Sequence, residues 1–267
     1  MKQLIKKIVP LSWQKKWYYF KNPHVIDEVD MVEKLLLRSD QNRVMMDVGA
    51  HVGNSLEPFA RAGWTVYAFE PDPANRAKLL VYSTKFPKVK VEPIALSDQP
   101  SGELKFYASK VSSGISSLLN FHESHEVTAT VKVTNLKTYC EANGIKQVSF
   151  LKTDTEGYDL PVLRGNDWAA VQPRAIVCEF DDFKTRNLGY TLVDQADLLL
   201  RNGYKIIVSE WHPIEEYGRT HRWRRFTTNP SKVVGERVWG NIVAVKPADW
   251  EALLKIAKKY GPVEGLV

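Results

Sequence analysis

From Arg43 onward the chain alternates short, nearly unbroken apolar runs with stretches whose apolar residues recur three and four positions apart. The runs are RVMMDV (43–48), TVYAFE (65–70), KVKVEPIAL (88–96), VSFLKTD (148–154), AIVCEF (175–180), YKIIVS (204–209) and NIVAVK (241–246). Each predicts a strand. The intervening segments Ser55–Arg61, Pro73–Lys85, Leu136–Ala142, Tyr158–Arg164 and Leu192–Arg201 predict helices. Strands apolar on both faces belong to a sheet covered by helices on each side, so the expected fold is α/β, doubly wound and mostly parallel. Seven strands are expected, and the last two lack a clear crossover helix, which predicts an antiparallel last strand.

Two stretches depart from this alternation. ELKFYAS (103–109) and VTATVKVT (127–134) alternate at period two, as in an added antiparallel hairpin around the Ser-rich loop SSGISSLLN (112–120). Residues 210–237 are rich in Trp, His, Arg and Pro and only weakly periodic. Both exceed what a connection needs, so the insertions at about 100–134 and 210–237 are read as substrate-facing elements. Upstream, VIDEVDMVEKLLLR (25–38) predicts an amphipathic helix. The expected organisation is an N-terminal helical, basic-aromatic extension over residues 1–40 and a single domain over 41–267.

Charge adds detail to the extension. The net charge is +6, and residues 1–22 carry Lys2, Lys6, Lys7, Lys15, Lys16 and Lys21 without an acid. The remainder is therefore near neutral, with one further basic cluster at Arg219, Arg222, Arg224 and Arg225. Charge confined to two patches does not suit a nucleic-acid coat. Trp13, Trp17, Tyr18, Tyr19 and Phe20 beside those lysines suit contact with the inner face of an anionic membrane, or a helix packed on the domain with its lysines in water. Pro10 and the lysines interrupt any signal-peptide core, and no apolar run reaches the length of a bilayer span. Cys140 and Cys178 form no disulfide or zinc pattern, and a cytoplasmic location is expected.

The most informative segment is MMDVGAHVGNS (45–55), where a buried strand turns through Gly49 and Gly53 into a helix near Ser55. Ligands of open α/β sheets bind beyond the carboxyl ends of the strands. A dinucleotide site would have a third glycine and no acid before the first, because Asp47 repels phosphate. A carboxylate there suits a cation instead, such as the sulfonium and ammonium of S-adenosylmethionine. Glu70 follows Gly53 by seventeen residues, at a strand end where an acid accepts hydrogen bonds from ribose hydroxyls. An adenine would meet EPIALSD (92–98) through Ala95, Leu96, Ser97 or Asp98.

The fourth strand ends in FLKTDTEGYDLPVLRG (150–165). Asp154 and Glu156 emerge there as general base, metal ligands, anchors for the cofactor's ammonium, or helix caps. Glu179 closes the fifth strand and makes, with Asp154, a candidate divalent-metal pair.

In the pieces DVGAHVGNS, AFEPDP, ALSD, GISSL, LKTDTEG with VLRG, and VCEF, spread in order over residues 43–181, the chain resembles the FkbM-type methyltransferase family. The resemblance implies a class I methyltransferase fold, S-adenosylmethionine as methyl donor and usually an oxygen acceptor. It implies cofactor contacts at Asp47, Gly49, Glu70 and Ser97–Asp98, which the same motifs extend to Gly53, Ser55, Pro71 and Asp154. Ser116, Asp154 and Glu156 would face the transfer site. Thr155 departs from the bulkier aliphatic residue frequent in the family.

A sugar hydroxyl is a poor nucleophile at neutral pH, so a base is expected, with Asp154 first and His212 second. The segment SEWHPIEEYGRTHRWRRF (209–226) offers Trp211, His212, Arg222 and Trp223 to an acceptor, alongside Ser116 and Glu179. Aromatic faces interleaved with guanidinium groups suit a carbohydrate or glycoconjugate, suit stacked RNA, or form a surface clamp on a C-terminal strand. Base-amine methylation would want an N-P-P-[YF/W] turn where T-D-T-E stands, and neither cysteine is on a reactive loop, so nucleic acid is disfavoured. The expected activity is O-methylation of a sugar hydroxyl. The alternatives are an RNA methyltransferase and a nucleotide-binding module without turnover.

Overall fold

The computed structural model describes residues 25–109, 116–216 and 220–266. The basic-aromatic residues 1–22, Gly114 and Ile115 of the GISSL loop, and Arg219 lie outside the described residues.

Nine strands form the main sheet in the order β12-β10-β9-β11-β8-β7-β1-β2-β3. In chain order these are β1 (Val44–Val48), β2 (Thr65–Phe69), β3 (Val89–Glu92), β7 (Phe150–Thr153), β8 (Ala175–Asp181), β9 (Lys205–Trp211), β10 (Trp223–Thr227), β11 (Trp239–Val245) and β12 (Val263–Glu264). The five strands from β3 to β8 are parallel, and β11 runs antiparallel between β8 and β9. A second sheet, β4 (Ala95–Leu96), β6 (His125–Thr134) and β5 (Gly102–Ser109), carries the expected hairpin.

Consecutive residues of β1 explain the two-sided burial. Met45 belongs to one apolar cluster and Met46 to the other, as alternation across a strand requires. The first cluster joins the sheet to α1 (Glu28–Leu36), α2 (Glu57–Arg61), α3 (Pro73–Ser83) and, further on, α8 (Trp250–Ala257). The second joins it to α4 (Leu136–Ala142), α5 (Asp159–Arg164) and α7 (Leu192–Arg201). A short α6 (Asp182–Thr185) follows β8 directly.

Three expectations change. The run 88–96 is two strands, because Pro93 lies in it and Ala95–Leu96 pairs with β6 instead of β2. The main sheet has nine strands rather than seven, since β10 and β12 extend it beyond β9. Residues 210–237 are not all loop: β10 pairs with β9, and Arg225 ties Glu210 at 2.6 Å to Glu264 of β12 at 2.9 Å. That is the clamp on a C-terminal strand. Helix α1 is integral to the first core face, with Met31, Val32 and Leu36 fully buried, so the described part of the extension is not a separate arm. No helix among the described residues is long and apolar enough to cross a membrane.

Candidate active site

The chain leaves β1 outward to β2 and β3, then returns to β7 on the other side of β1. This reversal opens a crevice at the carboxyl ends of β1 and β7. A cavity of about 270 Å³ lies there, lined by Gly49, His51, Phe69, Glu70, Pro71, Asn75, Ile94, Ala95, Leu96, Phe106, Ser116, Ser117, Leu118, Asp154, Thr155 and Glu156. Of the residues singled out from sequence, it brings together Gly49, Glu70, Pro71, Ala95, Leu96, Ser116, Asp154 and Glu156.

Glu70 is buried at the end of β2, and its two oxygens accept from the backbone N–H of His51 at 2.7 Å and of Asp72 at 2.8 Å. Burial pushes its carboxyl up to about 7 despite those bonds. His51 sits in the left-handed region at φ 52°, which turns its N–H back onto Glu70. Burial lowers the His51 imidazole, with the charge of Asp154 acting in the other direction. Past Glu70, Asp72 caps α3 through Ala74 and Asn75 and sets Asn75 on the cavity wall.

Asp47 does not line the cavity. It is fully buried, accepts from Ser55 Oγ at 2.6 Å and faces Lys152 Nζ at 3.3 Å. Lys152, itself buried, also reaches Asp154 at 3.3 Å and the Gly49 carbonyl at 3.2 Å. The acid expected to meet a cationic ligand is therefore neutralised from within, and it fixes the lysine that braces β1 to β7. Ser55 lines a neighbouring hollow of about 400 Å³ with Asp27, Asn54 and Lys152, while Gly53 packs on Leu79 and Tyr82. Ser97 is buried and caps the Gln99 N–H, and Asp98 is exposed; Ile94, Ala95 and Leu96 make the wall in their place.

Glu156 is the most constrained of the acids. It lies in the left-handed region at φ 56°, an unusual conformation for a side chain other than glycine. Ser117 Oγ donates to its carbonyl at 3.0 Å, and Lys184 Nζ stands 2.5 Å from Oε2. Thr155 hydrogen-bonds Asp159 at 2.8 Å through its hydroxyl, which gives the departure from the aliphatic pattern a role in shaping this turn. Burial pushes the Glu156 carboxyl up to about 7, with Lys184 pulling it down.

One carboxylate oxygen each from Asp154, Glu156 and Glu179 lie within 4.8 Å of one another. Lys184 projects from α6 toward two of them, 2.5 Å from Glu156 and 3.6 Å from Glu179, and stands 3.1 Å from Asp181. Glu179 lies outside the cavity wall, and burial holds its carboxyl well above the usual range.

Beyond Lys184 a groove of about 680 Å³ is lined by Phe121, His122, Glu123, Asp181, Phe183, Ile214, Glu215, Glu216, Arg237 and Trp239. The residues expected there from sequence are absent from its wall. Trp211 is buried behind it, with its ring 5.6 Å from Trp239 and its N–H donated to Glu28 at 2.9 Å. His212 is exposed and accepts the Trp239 indole N–H on its carbonyl at 2.6 Å. Arg222 is exposed and bonds the His212 N–H through its carbonyl, and Trp223 packs on Phe226 and Gly261. Trp211 and the His212 carbonyl support Trp239, and none of the four lines the groove. Lys152, Lys184, Phe183 and Trp239 were not found from sequence: the pairing of β1 with β7 sets Lys152 beside Asp47, and the pairing of β8, β9 and β11 brings the others to this edge.

Residues 47–206 match the family described as Methyltransferase FkbM domain, more than half of the chain. Among curated proteins, the hexuronic acid methyltransferase AglP of Haloferax volcanii is 26% identical over 139 residues, which is 52% of this chain. The chain spans 56% of that relative's length. Solved structures that resemble it include the magnesium protoporphyrin IX methyltransferase of Synechocystis PCC 6803 with bound SAM, at 12% identity, covering 82% of this chain and 77% of that one, TM-score 0.42. A methyltransferase from Geobacter sulfurreducens matches at 13% identity over 92% and 95% of the two chains, TM-score 0.40.

Proposed function

Because the chain belongs to the FkbM methyltransferase family, we propose that it transfers the methyl group of S-adenosylmethionine to a hydroxyl of a sugar, with Glu156 as the base. The cavity suits that donor. Glu70 offers a buried carboxylate to the ribose hydroxyls, and Phe69, Ile94, Ala95 and Leu96 offer an apolar slot to the purine. When bound, S-adenosylmethionine supplies an electrophilic methyl group on a positively charged sulfur. Asp154 and Glu156 face that charge from the end of β7.

The observation that carries the reading is the position of Glu156 between the cavity and the aromatic groove, with its carboxyl raised to about 7. A base is most effective when its pKa lies near the working pH. Lys184 takes Oε2, and among the described residues no hydrogen bond is made to Oε1. That oxygen accepts the proton of an acceptor hydroxyl as its oxygen bonds the methyl carbon and the carbon–sulfur bond breaks. The rest of the acceleration comes from holding the two reactants in line. His212 is not retained as a base, since it stands away from the cavity. The relative named as a hexuronic acid methyltransferase supports a sugar acceptor.

The test is incubation with tritiated S-adenosylmethionine and separated glycan, lipid and RNA fractions. Label in the glycan fraction, recovered after hydrolysis as an O-methyl sugar, is the expected result. Label in RNA alone would overturn the acceptor class and leave the cofactor reading standing.

A further inference from the structure

We infer that Lys184 is the resident cation of the acidic edge: its ammonium sits among Glu156, Glu179 and Asp181, against two of the three carboxylates that could hold a divalent ion, and it positions Glu156 toward the acceptor. The inference rests on the proposal that methyl transfer occurs beside Glu156.

Three carboxylates converge on one nitrogen, at 2.5 Å for Glu156, 3.1 Å for Asp181 and 3.6 Å for Glu179. The Lys184 side chain is only 1% exposed, so this is a buried charge cluster and not a surface pair. Four features fix the nitrogen in place. Lys184 lies in a helical turn capped by Asp181, which accepts from the N–H of Phe183 and of Lys184 itself. Its aliphatic stem lies against Gly157, whose missing side chain leaves room, since a Cβ there would stand 3.2 Å from Lys184 Cβ. The Phe121 ring covers the ammonium at 5.0 Å from its centroid. The Glu156 backbone is held by Ser117 from the opposite side.

A metal ion needs carboxylate oxygens at about 2.0–2.6 Å and several of them at once. With an ammonium 2.5 Å from Glu156, a cation beside the same oxygen would meet like charge at contact distance. Of the three carboxylates an ion would use, Glu156 and Glu179 already face the lysine. Lys184 also touches both working regions, Glu156 on the cavity wall and Asp181 on the groove wall. It acts through Glu156 and does not itself meet the reacting atoms, so it is a positioning residue.

The experiment has two arms. In the first, the wild-type protein with S-adenosylhomocysteine bound is titrated with manganese chloride by calorimetry and by electron paramagnetic resonance. No saturable binding at this edge is expected, and methyl transfer is expected to be unchanged by EDTA. Stoichiometric Mn²⁺ binding below about 100 μM that Glu179→Gln abolishes would overturn the inference, a threshold about 5.5 kcal/mol from the molar standard state. In the second arm, Lys184→Met and Lys184→Arg are compared on the glycan fraction. Lys184→Met is expected to lower kcat about 100-fold with little change in KM for S-adenosylmethionine, and Lys184→Arg to restore a large part of it. Equal kcat in wild type and a folded Lys184→Met variant would overturn the positioning role. If Lys184→Met does not fold, the arginine variant and the Mn²⁺ titration still decide. If no fraction accepts label, the acceptor reading fails, whereas the Mn²⁺ titration continues to report on Lys184.

Discussion

Gly49 and Asp154 meet backbone to backbone: a β-carbon on the glycine would stand 1.9 Å from the carbonyl oxygen of the aspartate. The contact joins the carboxyl ends of β1 and β7 where the crevice opens, and the Asp154 N–H bonds the Val48 carbonyl at 3.0 Å beside it. At φ 77° the position also favours a residue without a side chain. Gly49→Ala is therefore expected to push the two strand ends apart, destabilising the fold by about 2–4 kcal/mol. Affinity for S-adenosylhomocysteine should fall with it. Denaturant melts and calorimetry measure both, and an unchanged midpoint with unchanged affinity would refute the contact.

Glu70 presents a second test, at the ribose end. Its oxygens are oriented by two backbone N–H groups, which leaves their remaining lone pairs for a diol. Glu70→Ala is expected to weaken S-adenosylhomocysteine binding about 30- to 100-fold, or roughly 2–3 kcal/mol. Calorimetry at fixed pH reads this directly, and wild-type affinity in the variant would remove Glu70 from the site.

Glu156 sets an expected pH profile. Only its ionised form takes a proton, and its carboxyl is raised to about 7, so kcat should climb through roughly pH 6–7 and level above about pH 8. Glu156→Gln should flatten the climb and lower kcat by about 100-fold or more. Stability runs the opposite way. A raised carboxyl favours the neutral folded form, so its contribution is complete below the ordinary value of 4.5 and is lost as pH rises through about 7. The Tm of the free protein should fall over that window, less so in Glu156→Gln. A Tm that rises there in wild type alone would contradict the burial argument.

We propose the groove as the acceptor site, and it shares no lining residue with the cavity. Phe183 is 51% exposed on its wall beneath Arg237, so its truncation leaves the core intact. Phe183→Ala is expected to raise KM for the acceptor about tenfold and leave S-adenosylhomocysteine affinity unchanged. His212→Ala should change neither by more than about twofold. The reverse pattern, with His212 sensitive and Phe183 silent, would return the acceptor to the residues expected from sequence.

Much of this architecture was written in local pattern. The unbroken apolar runs of β1, β2, β7 and β8 and the caps of α3 and α4 depend on near neighbours, and their boundaries agree with the periodicity to within a few residues. The run 88–96 reads as one strand by its apolar pattern, whereas Pro93 separates β3 from β4. What pattern could not show was the fate of charges. Lys152 and Lys184 resemble solvated lysines in a string of letters, and their burial follows from partners brought in by the fold, Asp47 105 residues before Lys152 and Glu156 28 residues before Lys184. Arg224 and Arg225 read as a basic patch for a ligand, but both bind Glu210, an acid only 1% exposed that they neutralise. Asp47 was read from its glycine neighbours as a ligand group, and its true partners come from the next strand and the following helical turn. The groove wall differs from the residues singled out in sequence for the same reason, since Trp239 reaches it only through pairing with Asp181 and Trp211.

The antiparallel course of β11 has a consequence for how such an enzyme changes over time. The segment that follows Trp211 returns to the sheet at Trp239, directly across the β9–β11 ladder, and midway it lends β10 to the other side of β9. The turns on either side of β10 can lengthen or shorten without disturbing strand register, because Trp211, β10 and Trp239 stay paired. Change confined to those turns would reshape the groove and leave the crevice at the ends of β1 and β2 untouched.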